Sequence, residues 1–127
     1  MSQNSAVIDQ FVAAWSTLDL DEILSFFTPD AVYTNIPIEP ANVGTEAIRK
    51  TIEGFVGMSD QIEFVVSHQA ENAAGVVMNE RVDRFHLKAE ARWIEAPVMG
   101  VFELEGGKIK AWRDYFDLAT FTGQMGG

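Results

Sequence analysis

Arg81 and Asp83 stand two residues apart in the segment Val76-Val77-Met78-Asn79-Glu80-Arg81-Val82-Asp83-Arg84-Phe85. The segment reads as a β-strand, and alternation puts Val77, Asn79, Arg81, Asp83 and Phe85 on one face. Arg81 and Asp83 are then roughly 7 Å apart between apolar neighbours. Taken alone, this strand would suit a surface ion pair, since most charges stay in water. A second carboxylate changes the reading. In Lys108-Ile109-Lys110-Ala111-Trp112-Arg113-Asp114-Tyr115-Phe116, alternation sets Asp114 on one face with Trp112 and Phe116. A carboxylate between two aromatic rings is costly to bury unless it is paired or hydrogen-bonded. Two acids with an arginine against apolar walls point to acid/base chemistry on an apolar substrate, the arginine tuning the acids.

Other residues weigh less. Tyr33 and Asn35 put a hydroxyl and an amide on one face of a short strand, although Asn35 could equally satisfy the backbone of the loop after it. His68 and His86 fall on separate strands without a second ligand at metal spacing, which argues against zinc. Neither Gly44 nor Gly106-Gly107 makes a phosphate loop, and no serine sits on a nucleophile elbow. Trp15, Phe26, Phe27, Phe55 and Phe64 read as core.

The elements that must carry these residues follow from periodicity. Val7, Ile8, Phe11, Val12 and Trp15 give a helix over Ser5 to Leu18 with one buried stripe. Asp19 is placed to cap a second helix that runs through Leu24 and Phe27 and stops before Pro29. Ala31 to Asn35 is a short strand, and Thr45 caps a third helix through Ile48, Ile52 and Phe55 to about Gly57. Strands then follow over Gln61 to His68 (Ile62, Phe64, Val66 and His68 on one side) and over Val76 to Phe85, with Asn72 to Gly75 as the turn between them. Further strands run over Ala89 to Ile94 and, past Pro97, over Val98 to Glu105. Gly106-Gly107 signals a hairpin into the last strand, Lys108 to Phe116. Beyond Asp117 the chain returns to helix or loop, with a frayed glycine-rich tail.

Helices first and antiparallel strands after is the pattern of an α+β fold. The sheet must curl to bury the apolar stripes of the helices, making a deep cone with an apolar interior. The 127 residues form one domain, 1–127, with no repeat or linker. A net charge of −10 argues against nucleic acid or an anionic membrane as partner. There is no cysteine, so disulfides and thiolate chemistry are excluded. With no apolar run long enough to span a bilayer and no signal-like start, the composition suggests the cytoplasm.

Tyr33-Thr34-Asn35-Ile36-Pro37, Glu80-Arg81-Val82-Asp83, Gly100-Val101-Phe102 and Trp112-Arg113-Asp114-Tyr115-Phe116-Asp117 together resemble the limonene epoxide hydrolases. The order, spacing and length fit over nearly the whole chain. The resemblance implies a curved mixed sheet wrapped round N-terminal helices, the cone of the nuclear-transport-factor-like and ketosteroid-isomerase-like proteins, usually dimeric through the sheet. It implies Asp114 as general base, Asp83 as general acid, Arg81 as the bridge between them, and Tyr33 and Asn35 as holders of the attacking water. Met58, Phe85, Val98 and Phe116 fall where the family lines its substrate pocket. Phe85 and Ala96 depart from the branched aliphatic residues expected there.

The activity so implied is cofactor-independent and metal-free opening of an apolar, cyclic or terpene-like epoxide to a vicinal diol. Two carboxylates serve as acid and base at one pH only where their surroundings push their pKa values apart. An isomerase or cyclase on the same cone would need one base and an oxyanion donor such as Tyr33. A non-catalytic binding module is the third reading, since fold does not fix function.

Overall fold

The structure is a computed structural model that describes residues 3–125; the final glycines of the tail lie outside the described residues. Helices α1 (Gln3–Ala14), α2 (Leu20–Leu24) and α3 (Gly44–Met58) pack on one face of a six-stranded sheet. The strands are β1 (Phe27–Ile36), β2 (Asn42–Val43), β3 (Ser59–Glu71), β4 (Val77–Leu87), β5 (Arg92–Glu105) and β6 (Lys108–Phe116), with a last helix α4 (Leu118–Gln124). The sheet order is β2-β1-β6-β5-β4-β3; β1 and β6 run parallel and the other neighbours antiparallel. This is the α+β architecture that the sequence implies.

Several boundaries differ from the sequence reading, each for a local reason. The first helix ends at Ala14 and tightens into a 3₁₀ turn, Trp15–Thr17, where Thr17 Oγ1 donates to Ala14 O at 2.6 Å and Leu18 turns left-handed at φ 58°. Asp19 does cap α2, its carboxylate accepting from Glu22 N at 3.2 Å. That helix stops at Leu24, however, and Phe27 already belongs to β1. Pro29 lies inside β1, in the irregularity between Phe27 and Val32, where no ladder donor is required of it. Val43 precedes α3 in the cap position, and the Thr45 hydroxyl turns instead to Pro29 O.

β5 is one unbroken strand through Pro97. β6 pairs with β5 only up to Val98↔Phe116, so Pro97 stands where that edge is open. Glu95, two residues away and of the same strand phase, turns its N–H and C=O to the side chain of Gln124 on α4, at 2.9 and 2.7 Å. The missing donor of Pro97 therefore falls on an edge with no strand to serve. In β3 a register shift between Val66 and His68 inverts the alternation, so that His68 faces solvent and Gln69 turns inward. The Gly106-Gly107 turn has φ of 59° and 81°, the left-handed pair that a two-residue hairpin of this hand requires.

The core lies between helices and sheet: Ile8, Phe11, Trp15, Ile23, Ile48, Ile52, Phe102 and Trp112 are essentially without exposure. Phe11 alone sets its ring edge-on to Trp15, Phe26, Phe27, Phe102 and Trp112. A cluster so dense holds the inner face of β6 fixed beneath the helices.

Candidate active site

One row across the sheet carries the site. Asn35 on β1 is opposite Asp114 on β6, Asp114 is opposite Gly100 on β5, and Gly100 is opposite Asn79 on β4. Arg81 and Asp83 lie two and four residues further along β4 and on the same inward face. Arg81 is 1% exposed, and its side chain reaches over Gly100 to β6. Its Nε donates to Asp83 Oδ1 at 2.7 Å and its Nη2 to Asp83 Oδ2 at 3.2 Å; Nη2 also donates to Asp114 Oδ2. Nη1 donates to Asn79 Oδ1 at 2.9 Å. Behind Asn79 the amides continue, Asn79 Nδ2 to Gln69 Oε1 at 3.1 Å and Gln69 Nε2 to Asp9 of α1 at 2.9 Å. A forked, planar cation is the side chain suited to hold two carboxylates at once.

Aromatic faces enclose the cation. The Arg81 guanidinium carbon lies 5.1 Å from the ring centre of Phe64, 5.8 Å from that of Trp112 and 5.9 Å from that of Phe102. Trp112 also donates its Nε1 to Asp114 Oδ1 at 2.6 Å and stacks on Tyr33 at 4.1 Å, nearly parallel.

Two carboxylates and one guanidinium leave the buried group one negative charge in excess, and its proton equilibria reflect that. Burial pushes the Asp83 carboxyl up to about 7, against the pull of Arg81 and with the added repulsion of Asp114. Burial also raises Asp114, but there the charge and hydrogen bond of Arg81 and the hydrogen bond of Trp112 oppose it. Asp114 thus has one donor from a second residue that Asp83 lacks. Burial of Arg81 favours its neutral form, yet the two carboxylates, Asp114 foremost, hold it protonated. Burial and then the charge of Asp114 lift the Tyr33 hydroxyl well above its usual range, with Asn35 hydrogen-bonded to it and opposing the rise.

Asp83, Asp114, Tyr33 and Asn35 face one cavity together with Trp15, Phe55, Phe64, Phe85, Ala96, Val98, Phe116, Phe121 and Ile38. Of the residues expected to line a substrate pocket, Phe85, Val98 and Phe116 are at this cavity. Met58 lies in an adjoining outer chamber with Pro40, Thr51 and Met125. His68 and His86 are remote from it, paired with Glu80 at 3.2 Å and Asp60 at 2.7 Å.

Several contributors escape the sequence reading. Trp15, Phe55 and Phe64 read as core alone, yet they also wall the cavity. Gly100 stands out in the sequence only as part of a motif. A Cβ there would lie 2.5 Å from Arg81 Nη1 and 2.7 Å from Asp114 Oδ1, so only glycine lets the two meet. The same-face phase of Asn79 with Arg81 is the available signal for its contact.

A cone-shaped α+β fold closed round an acid–arginine–acid group defines a class of enzyme-like pockets, and the fold is widely shared. A protein of ketosteroid isomerase-like fold from Catenulispora acidiphila, solved in complex with trimethylamine, superposes with a TM-score of 0.80 at 20% identity, over 94% of this chain and 92% of that one. The structure of a Mycobacterium tuberculosis LEH-like epoxide hydrolase gives a TM-score of 0.76 at 24% identity, over 95% of this chain and 87% of that one. The family is narrower than the fold. The family model of the limonene-1,2-epoxide hydrolase catalytic domain matches residues 2–125, and the chain belongs to that family. It is similar to epoxide hydrolase EphG of M. tuberculosis strain H37Rv, 28% identical over 113 residues, 87% of this chain and 71% of that protein.

Proposed function

We propose that the chain is a cofactor-independent epoxide hydrolase acting on a small apolar epoxide in one step. The observation that carries the reading is the Arg81 bridge between two buried carboxylates at an apolar cavity. Asp114 is the base, since Trp112 and Arg81 both donate to it and favour its ionised form. Asp83 is the acid: burial keeps its proton to about pH 7. Arg81 occupies both Asp83 oxygens on one side, which leaves the acidic proton to point into the cavity.

A water held by Asp114, Tyr33 and Asn35 attacks an epoxide carbon as the ring C–O bond breaks. Asp114 takes one proton of the water, and Asp83 gives its own to the departing oxygen. The pair holds one proton before and after; only its position has moved, and exchange through water resets it. Each such positioned transfer contributes on the order of 10²–10⁴ in rate. A carboxylate that grips a water in this way is poorly placed to touch carbon itself, so no ester to the protein forms.

The test is a single turnover in water enriched in heavy oxygen with enzyme in excess over epoxide. Direct attack puts the label in the first diol. An unlabelled first diol with label later in Asp83 or Asp114 refutes the scheme.

The same proposal extends to a homodimer through the outer face of the sheet, where Val65, Met99 and Tyr115 are about half exposed. The cytoplasm is the proposed compartment, on the composition; among the described residues no helix is long and apolar enough to cross a membrane.

A further inference from the structure

The cavity is divided. The inner chamber, which Asp83 and Asp114 face, has a volume of about 60 Å³. The outer chamber has about 290 Å³, and Asn35, Ile38, Phe55 and Phe121 border both. An apolar cavity of about 150 Å³ is what one benzene ring occupies. The inner chamber is therefore well below the size of a six-membered ring. It holds the three-membered epoxide and a carbon or two.

Phe85 sets that limit. It lies two residues beyond Asp83 on the same face of β4, is 4% exposed, and is flanked in register by the buried Ile62 and Ile94. Its ring stacks on Phe55 at 5.3 Å and meets Phe64 and Phe121 edge-on at 6.1 and 6.3 Å. Phe121 belongs to a short helix with no buried residue and can yield to a ligand. Phe85, packed between two neighbouring strands, cannot.

We infer that Phe85 is the size-selecting residue and that the substrate is a slender epoxide bearing its ring oxygen at the end of an apolar chain. The chain runs past Phe55 and Phe121 into the outer chamber beside Met58. An epoxide fused to a ring carries bulk on both reacting carbons, and one side of it must then enter the inner chamber. A slender substrate departs from the cyclic, terpene-like one that the sequence suggests, and it rests on the reading of the site as an epoxide hydrolase.

The experiment compares 1,2-epoxyhexane with cyclohexene oxide, which have equal carbon counts, on wild type, Phe85→Leu and Phe85→Ala, by diol formation. The wild-type ratio of kcat/KM is expected to favour the linear epoxide by at least roughly tenfold, the scale on which a pocket rejects excess carbon. Both variants are expected to cut that ratio by roughly tenfold, through a gain on cyclohexene oxide. Comparison between variants cancels the intrinsic reactivity of the two epoxides. Phe85→Leu keeps the wall filled should the alanine variant not fold. An unchanged ratio in the folded leucine variant, or a wild type that prefers the ring, overturns the inference while diol formation still upholds the hydrolase. If wild type opens neither these nor longer terminal epoxides, the hydrolase reading falls, and the inference with it.

Discussion

Replacing Asp83 by asparagine removes a titrating carboxyl from a group whose two acids outnumber its one cation. The wild-type carboxyl titrates near 7 in the folded chain, against 3.8 for the free side chain. Below 3.8 both folded and unfolded chains hold the proton, and the stability that this protonated group contributes is complete. Between about 4 and 7 the unfolded chain releases the proton while the folded chain keeps it, so stability falls as pH rises. At 1.36 kcal/mol per pH unit, the loss over that window is about 4 kcal/mol. The asparagine side chain has no proton to release, so this share of the slope disappears. Its amide still offers an oxygen to Arg81 Nε, but its NH₂ then faces the Nη2 donor, at a cost of about 1–3 kcal/mol. Asp83→Asn should thus be less stable than wild type at pH 4, and more stable at pH 8 by about 1–3 kcal/mol, the remainder of the roughly 4 kcal/mol. Urea melts at pH 4, 6 and 8 measure the crossing, and diol assays on the same samples should show activity lost throughout. A stability difference that does not vary with pH would refute the assignment of the retained proton to Asp83.

Other changes test the remaining contacts. Trp112→Phe keeps the stack on Tyr33 but deletes the donor that favours ionised Asp114, so the acid limb of the kcat/KM–pH profile should move to higher pH. Arg81→Lys cannot span both carboxylates; it should abolish turnover and destabilise the fold by about 3–5 kcal/mol, as read from denaturant melts. Gly100→Ala drives a methyl between Arg81 and Asp114, costing about 1–3 kcal/mol in the same melts and most of the activity. Gly57→Ala has open space and should instead gain up to about 1 kcal/mol in thermal melts.

The strands that bear the charged group are those whose character shows in the sequence. The alternation from Val77 to Phe85, and in β6 from Trp112 to Phe116, survives in the fold because both strands lie inside the sheet with one face buried; nearer the hairpin a register shift between Glu103 and Leu104 puts the buried Ile109 out of that phase. The errors fall where a neighbour, and not the local residues, decides. Pro97 reads as a break because a lone strand cannot reveal that β6 ends beside it and that Gln124 takes over the edge. The second helix reads as running through Phe27 to a stop before Pro29; it does stop before Pro29, but at Leu24, because Phe27 already pairs in β1, whose irregular stretch absorbs the proline. His68 reads as inward because a bulge leaves no mark in a pattern of period two. The chemistry is visible because charge is rare on an apolar face. The room available is not, since it depends on how Phe55, Phe64, Phe85 and Phe121 meet across four different elements.

The position of β6 also governs when the site comes into being. It is the last strand in the chain, yet it lies between β1 and β5, so the first strand has no place in the sheet until the last one arrives. During synthesis β3, β4 and β5 can pair as a meander, and Arg81 with Asp83 is then a balanced couple of one cation and one anion. Asp114 enters with the closing strand and brings the surplus charge with it. The electrostatic burden of the site therefore comes at the final step of assembly, after the meander and its hairpin are available to bear it.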